Sequence, residues 1–212
     1  MRQTLGQSLD ASKKIKNLLL LVAILYVASF TTGYLMISSR TPSAVELKDA
    51  VIESVLTEQP FTTVTEALKG GNLALAILLA YAVNLVGGAF LTTTLPGAAP
   101  LIGGLVTVAV TVFRGFTLGV AYYDVFKVPG AASVALGTAI LELGAYVFSG
   151  AAGVNMSIAT VFPGRYGVDS RWEAFKEAWR DVGRIFVIVA ILLALGAVWE
   201  MTGMFFLIHP IT

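Results

Sequence analysis

Long apolar runs are the feature of this 212-residue sequence that most restricts what it can fold into. Several of them reach the roughly 20 residues that a helix needs to cross the hydrocarbon of a bilayer. Hydrophobic residues make up 57% of the chain and charged residues only 13%. In a soluble domain about a quarter of all residues are charged. The sequence therefore predicts an all-α, polytopic membrane protein that forms a single integral membrane domain over residues 1–212.

The apolar runs predict five transmembrane helices. They cover residues 18–37, 72–94, 101–123, 131–158 and 185–206. The LPGAAP sequence after the second run cannot continue a helix, so we expect a tight turn or a break there. Two interpretations stay open for residues 95–113: part of a full span, or a re-entrant half-helix, which is tolerated only where protein buries it or where it lines a cavity.

Two amphipathic stretches lie outside the predicted spans. In the connection 38–71, SAVELKDAVIESVLTE has apolar residues at helical spacing with Ser43 as a reasonable N-cap, and a second short helix follows Pro60. The stretch 172–184, WEAFKEAWRDVGR, predicts a separate helix that lies in the membrane interface. Its anchors are Trp172, Phe175 and Trp179. A docking surface for a partner is the alternative for this second stretch.

The distribution of basic residues predicts the orientation in a cell membrane. With the N-terminus in the cytoplasm and the C-terminus outside, nine Lys and Arg residues lie in the inner connections and four in the outer ones. The outer four are Arg40, Lys48, Lys69 and Lys127. This asymmetry agrees with the tendency of cytoplasmic loops to carry the excess of basic residues.

Three charged residues fall inside the predicted spans: Arg114, Glu142 and Glu200. Arg114 and Glu142 each lie fourteen residues from the centre of the KVPG connection, so two antiparallel helices joined there place them at the same depth. An unpaired charge at the centre of a span costs about 2.5–3.5 kcal/mol on insertion scales. We therefore predict an ion pair between Arg114 and Glu142. Glu200 either pairs within the bundle or reaches water.

The faces around these charges are polar and small. We predict an intramembrane polar cluster of Arg114, Glu142, Asn84, Ser149 and Glu200, and close helix packing at small residues. The packing glycines are Gly115, Gly119, Gly150 and Gly153. A structural ion pair is the first interpretation of the cluster. Passage of ions or protons, and binding of a partner helix or lipid headgroup, are the alternatives.

Composition argues against several other classes of function. The chain has no cysteine and one histidine, His209, which excludes thiolate sites and any metal site that needs two histidines. No hydrolase, protease or nucleotide-binding motif occurs, so we expect neither an enzyme nor a cofactor. The net charge of +1 gives no bulk basic surface for nucleic acid.

The order of several short motifs resembles the stage II sporulation protein M family of membrane proteins over about residues 61–205. The matching pieces are GGNLALAILLAYAVNLVGG, FRGFTLGVAYY, LELGAYVFSGAAG, and PGR before a charged helix. The family usually has Asn where Arg114 stands, and a Pro-His before the Leu-Glu-Leu that this chain lacks. Within the comparison, Glu142 is the shared element and Arg114 the local one.

The resemblance implies a helical membrane protein that works in a complex, as sporulating members do with a peptidoglycan-degrading partner. We therefore expect a non-enzymatic protein that scaffolds or regulates a membrane or cell-envelope complex. The alternative is a small oligomeric ion channel or transporter that uses the polar cluster. The expected partners are membrane lipids and either further copies of this chain or other membrane and envelope proteins.

Overall fold

The computed structural model describes residues 2–209, and the side chains from Thr4 onward. Within these residues the chain forms eight α-helices and no strand. The predicted positions of the two termini fall on residue 1 and residues 210–212, outside the described residues.

Five helices are long and apolar enough to cross a membrane, which confirms the predicted fold class. They are α2 (Lys16–Ser38), the helix that begins as α5 (Leu73–Ala82) and continues to Ala98, α6 (Ile102–Val125), α7 (Pro129–Val161) and α8 (Arg171–Ile208). Large apolar side chains on their outer faces, such as Phe113 and Ile140, are about two-thirds exposed. In a membrane these faces are free to contact lipid, because none of the other described residues covers them.

Three shorter helices complete the bundle at its two ends. α1 (Arg2–Lys14) packs beside the start of α8, and we call this the α1 end. α3 (Pro42–Thr57) and α4 (Phe61–Lys69) lie at the opposite end, which we call the α3 end. The five spans run alternately between these ends, so their midpoints meet at one depth.

The second span changes its helical geometry halfway along. After Ala82 the α-helix widens to a π-helix over Val83–Thr94, and a 3-10 turn over Leu95–Ala98 follows. The hydroxyls of Thr93 and Thr94 donate to carbonyls five residues back, at 2.7 and 2.9 Å, as the wider spiral allows. π-helical geometry is rare and often accompanies functional sites.

The region 95–113 forms no re-entrant half-helix. α6 is continuous from Ile102, and its 24 residues span about 36 Å at 1.5 Å per residue. The chain reverses at residues 99–101 by a sharp turn in which Leu101 has φ 60°. Gly97 permits this turn to pack inside the bundle, because a Cβ there would overlap the backbone of Gly153 on α7.

The predicted break between the stretch 172–184 and the last span is wrong. α8 runs without interruption from Arg171 to Ile208. No residue that stops a helix lies near Gly183, where the break was expected. The first turns are not free to lie flat in the interface, because Ala174, Ala178 and Val182 are buried.

The N-cap of α3 also differs from the prediction. α3 begins at Pro42 with Thr41 as its N-cap, so Ser43 lies inside the helix and does not cap it. Proline suits the first position of a helix because its missing N–H would have no partner there.

Candidate functional site

A chain of polar side chains crosses the middle of the bundle. Arg114 lies near the midpoint of α6, Asn84 near that of the second span, and Glu142 within a turn of the midpoint of α7. Tyr26 occupies the same depth on α2. Each of these helices therefore places one polar residue at the level where the hydrocarbon of a bilayer is driest.

Arg114 is bound by the π-helical segment of the second span. Its guanidinium donates to the hydroxyls of Thr93 and Thr92 at 2.9 and 2.8 Å, and to the carbonyl of Gly88 at 3.3 Å. It also stacks over the ring of Tyr146, 4.1 Å from the ring centroid. Neutral oxygens and an aromatic face thus satisfy this charge without an acid.

The predicted ion pair between Arg114 and Glu142 is wrong. Six ion pairs form among the described residues, and none of them includes either residue. The number of residues from the KVPG connection determines the depth of Arg114 and Glu142, but it does not determine the direction in which each side chain leaves its helix. Arg114 turns to the second span, and Tyr146 fills the space on α7 where the pair would have formed.

Glu142 is instead bonded to Asn84. The Asn84 Nδ2 donates to Glu142 Oε1 at 2.6 Å, while the Tyr146 hydroxyl donates to Asn84 Oδ1 at 3.0 Å. Tyr146 is therefore shared, because its ring receives Arg114 and its hydroxyl orients the amide that holds Glu142. The chain of contacts runs from Arg114 through Tyr146 and Asn84 to Glu142.

Glu200 lies on the next helix, close to Glu142. A Cβ built on Gly196, one turn before Glu200, would be 3.4 Å from Cγ of Glu142. Both carboxylates are half-buried, and neither pairs with a basic side chain among the described residues.

Ser149, the remaining member of the predicted cluster, lies apart from this chain. Its hydroxyl donates to the carbonyl of Tyr146 on its own helix at 3.2 Å. Its own carbonyl accepts from the Thr94 hydroxyl at 2.9 Å, which ties α7 to the second span.

The four predicted packing glycines all lie at contacts between helices. A Cβ on Gly115 or Gly119 would overlap α2, at Ser29 and at the Phe30 carbonyl respectively. Gly153 lies against the Thr93 carbonyl, which a Cβ would approach to 2.9 Å, and Gly150 lies against Val22 at 3.3 Å.

Three tyrosine and threonine residues near the cluster were not predicted from the sequence. Tyr26 and Thr138 are almost fully buried, and their hydroxyls have no hydrogen-bond partner. Tyr146 holds the two halves of the cluster together. A periodicity signal existed for two of them, since Thr138 and Tyr146 flank Glu142 by one helical turn on either side.

A second polar network closes the α1 end. Asp181 is 1% exposed and binds Lys14 of α1 at 3.2 Å and Arg184 at 2.9 Å. The Tyr166 hydroxyl donates to Asp181 at 3.3 Å and accepts from Asn155 at 2.7 Å. Burial raises the pKa of Tyr166 to about 12, so this hydroxyl keeps its proton at physiological pH.

The aromatic anchors of the predicted interfacial stretch form one row along the start of α8. Trp172 stacks on Phe175 with centroids 5.5 Å apart, and Phe175 stacks on Trp179 at 6.2 Å. Trp179 then meets Phe90 of the second span edge to face at 6.3 Å. The row thus continues from exposed Trp172 into the bundle.

Comparison with known proteins identifies one family. A family model described as stage II sporulation protein M matches residues 19–202, which is most of the chain. No curated protein and no solved structure gives a match.

Proposed function

Because this chain belongs to the stage II sporulation protein M family, we propose that it is a non-enzymatic membrane protein that scaffolds or regulates a membrane or cell-envelope complex. The observation that carries this proposal is the surface of α3. This helix is fixed rigidly to the spans at one end and leaves its other end uncovered.

The first half of α3 is held by packing and by an ion pair. Ala44 is fully buried against Ile37 of α2 and Val120 of α6. The Lys48 ammonium contacts the Asp124 carboxylate at 2.8 Å, at the end of α6. These contacts fix the direction in which the rest of the helix projects.

The second half of α3 presents an apolar surface beside an acidic groove. Ile52, Val55 and Leu56 are 48%, 41% and 62% exposed. An open groove of about 610 Å³ runs along the same helix and is lined by Pro42, Val45, Glu46, Asp49, Ala50 and Glu53. Apolar groups rimmed by charge are typical of protein interaction surfaces, and the acids favour a partner with a basic face.

The basic residues of the sequence favour the outer side of the membrane for α3, because the positively charged connections would then lie inside. A partner bound at α3 would accordingly belong to the cell envelope. Further copies of this chain are the other candidates for this surface.

Photo-cross-linking in living cells tests the proposal. We expect a cross-linking amino acid at Leu56 to give a discrete protein adduct, whereas the same amino acid at lipid-facing Leu136 gives none. Leu136 is a matched control because it is 55% exposed on the apolar span α7, two turns from the start of the helix. Changing Glu46, Asp49 and Glu53 together to Lys should remove the adduct at Leu56 while the protein still reaches the membrane. An absent adduct at Leu56, or one that survives the charge reversal, contradicts the proposal.

A channel or transporter is the second candidate function. It is favoured by Glu142 and Glu200, which form no ion pair with a basic side chain among the described residues. Ionisable groups inside a membrane commonly lie on ion or proton paths. Purified protein in liposomes would then conduct ions, and Glu142→Gln would reduce the flux. Equal flux in wild type, Glu142→Gln and empty liposomes would exclude this candidate.

A further inference from the structure

Two apolar grooves open where the first half of α8 packs beside the rest of the bundle. The first has a volume of about 410 Å³ and lies at the α1 end, between the turn at Pro100, the end of α7, and Trp172 and Phe175 of α8. The second has a volume of about 430 Å³ and lies between the second span and α8, around Phe90 and Phe186. The described residues leave both grooves open to the outside of the bundle, so a molecule in the membrane can reach them.

The aromatic row at the start of α8 connects the two grooves. Trp172 and Phe175 line the first groove, and the row continues through Trp179 to Phe90, which lines the second. Phe90 also meets Phe186 edge to face at 5.9 Å. The eleven residues from Phe175 to Phe186 rise by about 16 Å along α8. This is close to half of the roughly 30 Å of hydrocarbon in a bilayer, so the two grooves together cover about the depth of one leaflet.

The first groove lies at the membrane boundary. Pro100 is followed by Leu101 and Ile102, which are 61% and 69% exposed and begin the apolar surface of α6. Trp172 is 61% exposed, and tryptophan is enriched at the level of the lipid headgroups. The basic residues of the sequence favour the cytoplasmic side for this end, and the cytoplasmic leaflet carries anionic lipids.

Basic side chains lie at the first groove. Arg171 lines it, and Lys176 lies over the Trp172 ring, 5.2 Å from the centroid. Neither cation forms an ion pair among the described residues. The acids of the same turns, Glu173 and Glu177, lie about 100° and 140° further round the helix than Trp172, and neither lines the groove. The groove therefore combines apolar walls with positive charge that no acid of these turns neutralises.

We propose that the two grooves hold one anionic phospholipid, with its phosphate at Arg171 and an acyl chain along the aromatic row. A guanidinium binds phosphate through charge-assisted hydrogen bonds, which are stronger than neutral ones. A free phosphate would leave the apolar walls of both grooves unfilled. A zwitterionic lipid would bring its own cation close to Arg171 and Lys176, so a lipid of net negative charge is favoured. The site does not depend on α3 or on any partner bound there.

Quenching of tryptophan fluorescence by brominated lipids in liposomes tests the site, because bromine on an acyl chain quenches only at short range. Trp199→Phe leaves the two tryptophans of the row, and Trp172→Phe with Trp179→Phe leaves only Trp199, toward the α3 end. In a background of phosphatidylcholine, brominated phosphatidylglycerol should quench the row at a mole fraction about fivefold or more below that needed of brominated phosphatidylcholine. Trp199 alone should show no such preference.

Two matched variants locate the headgroup. Arg171→Gln should reduce the preference for the anionic lipid by about fivefold, since one arginine at a charged membrane surface contributes about this factor. Arg180→Gln is the control, because Arg180 is exposed on the opposite side of α8 from Arg171 and pairs with Glu177. It should leave the preference unchanged.

Gly183→Leu tests the position of the acyl chain. Gly183 lines the second groove and a Cβ there meets open space, so a leucine fills the groove without overlapping the bundle. Quenching of the row by the anionic lipid should fall, while quenching of Trp199 should not change. Equal quenching of the row by the two lipids, a preference that survives Arg171→Gln, or quenching that Gly183→Leu leaves unaltered would overturn the proposal.

Discussion

The Arg114 guanidinium lies 4.1 Å from the centroid of the Tyr146 ring, and this contact replaces an ion pair with Glu142. Tyr146 keeps the two opposite charges on separate sides of one side chain. Arg114 then depends on the second span for its hydrogen bonds, and Glu142 remains available to Asn84 and to α8. Arg114 thereby has a structural role, because it ties α6 to the second span and to α7.

Double-mutant cycles should show where Arg114 is coupled. We expect the coupling free energy between Arg114 and Tyr146, measured with Arg114→Leu and Tyr146→Leu, to be about 1–2 kcal/mol, as for a desolvated cation–π contact. The cycle between Arg114→Leu and Glu142→Leu should give a smaller coupling, since no hydrogen bond joins the two. Reversible unfolding in mixed detergent micelles, followed by tryptophan fluorescence, measures both. A larger coupling between Arg114 and Glu142 than between Arg114 and Tyr146 would contradict this arrangement and support a direct ion pair.

Thr93 should matter more than an ordinary membrane threonine. Thr93→Val keeps the shape but removes an acceptor 2.9 Å from the guanidinium, so we expect a loss of about 2 kcal/mol of unfolding free energy. Thr31→Val is the matched control, because the Thr31 hydroxyl is exposed and bonds only its own helix. Its cost should stay below about 0.5 kcal/mol. Equal costs for the two variants would show that Thr93 contributes nothing specific.

The contact between α2 and α6 should not accept a methyl group at Gly119. A Cβ there overlaps the Phe30 carbonyl, which is backbone and cannot rotate away, so Gly119→Ala should destabilise by about 1–3 kcal/mol. Gly183→Ala places the same methyl group in open space on α8 and should stabilise by about 0.5–1 kcal/mol through helix propensity. The same unfolding assay compares them, and a neutral Gly119→Ala would mean that the helices lie farther apart.

Asp181 should control the docking of α1 on α8. Asp181→Asn keeps the size but leaves Lys14 and Arg184 without their acid, and losing hydrogen bonds to a charged group costs about 1.5–3 kcal/mol. Because both cations are partly exposed, the loss should fall at the lower end of that range. Hydrogen exchange of the α1 amides should accelerate in Asp181→Asn and stay unchanged in the exposed control Asp10→Asn. Unchanged α1 exchange in both would refute this role.

Hydropathy predicted the helices well because the bilayer imposes their length. All five predicted spans correspond to long helices, and the connection 38–71 contains the two short helices expected from its periodicity and Pro60. The family resemblance is confirmed by the match over residues 19–202. The prediction of a break before the last span is wrong, because an amphipathic pattern such as that of Trp172 and Phe175 does not stop a helix.

The sequence predicts the depth of Arg114 and Glu142 in the membrane but not which side chains they contact. Counting residues from the KVPG turn brings Arg114 and Glu142 to one level, since the rise per residue is constant. Their partners depend on rotation about the helix axes and on the π-helical widening after Ala82, which turns Thr92 and Thr93 towards Arg114. Nothing in the local sequence expresses that rotation.

The sequence by itself determined that this protein crosses a membrane on five helices, that its family is that of stage II sporulation protein M, and which charged residues lie within the spans. These properties follow from composition, run length and motif order, which are local. Only the tertiary structure decided that Tyr146 separates Arg114 from Glu142, and that Asn84 is the hydrogen-bond partner of Glu142. Such contacts form between helices far apart in sequence, so they are set by how the whole bundle packs.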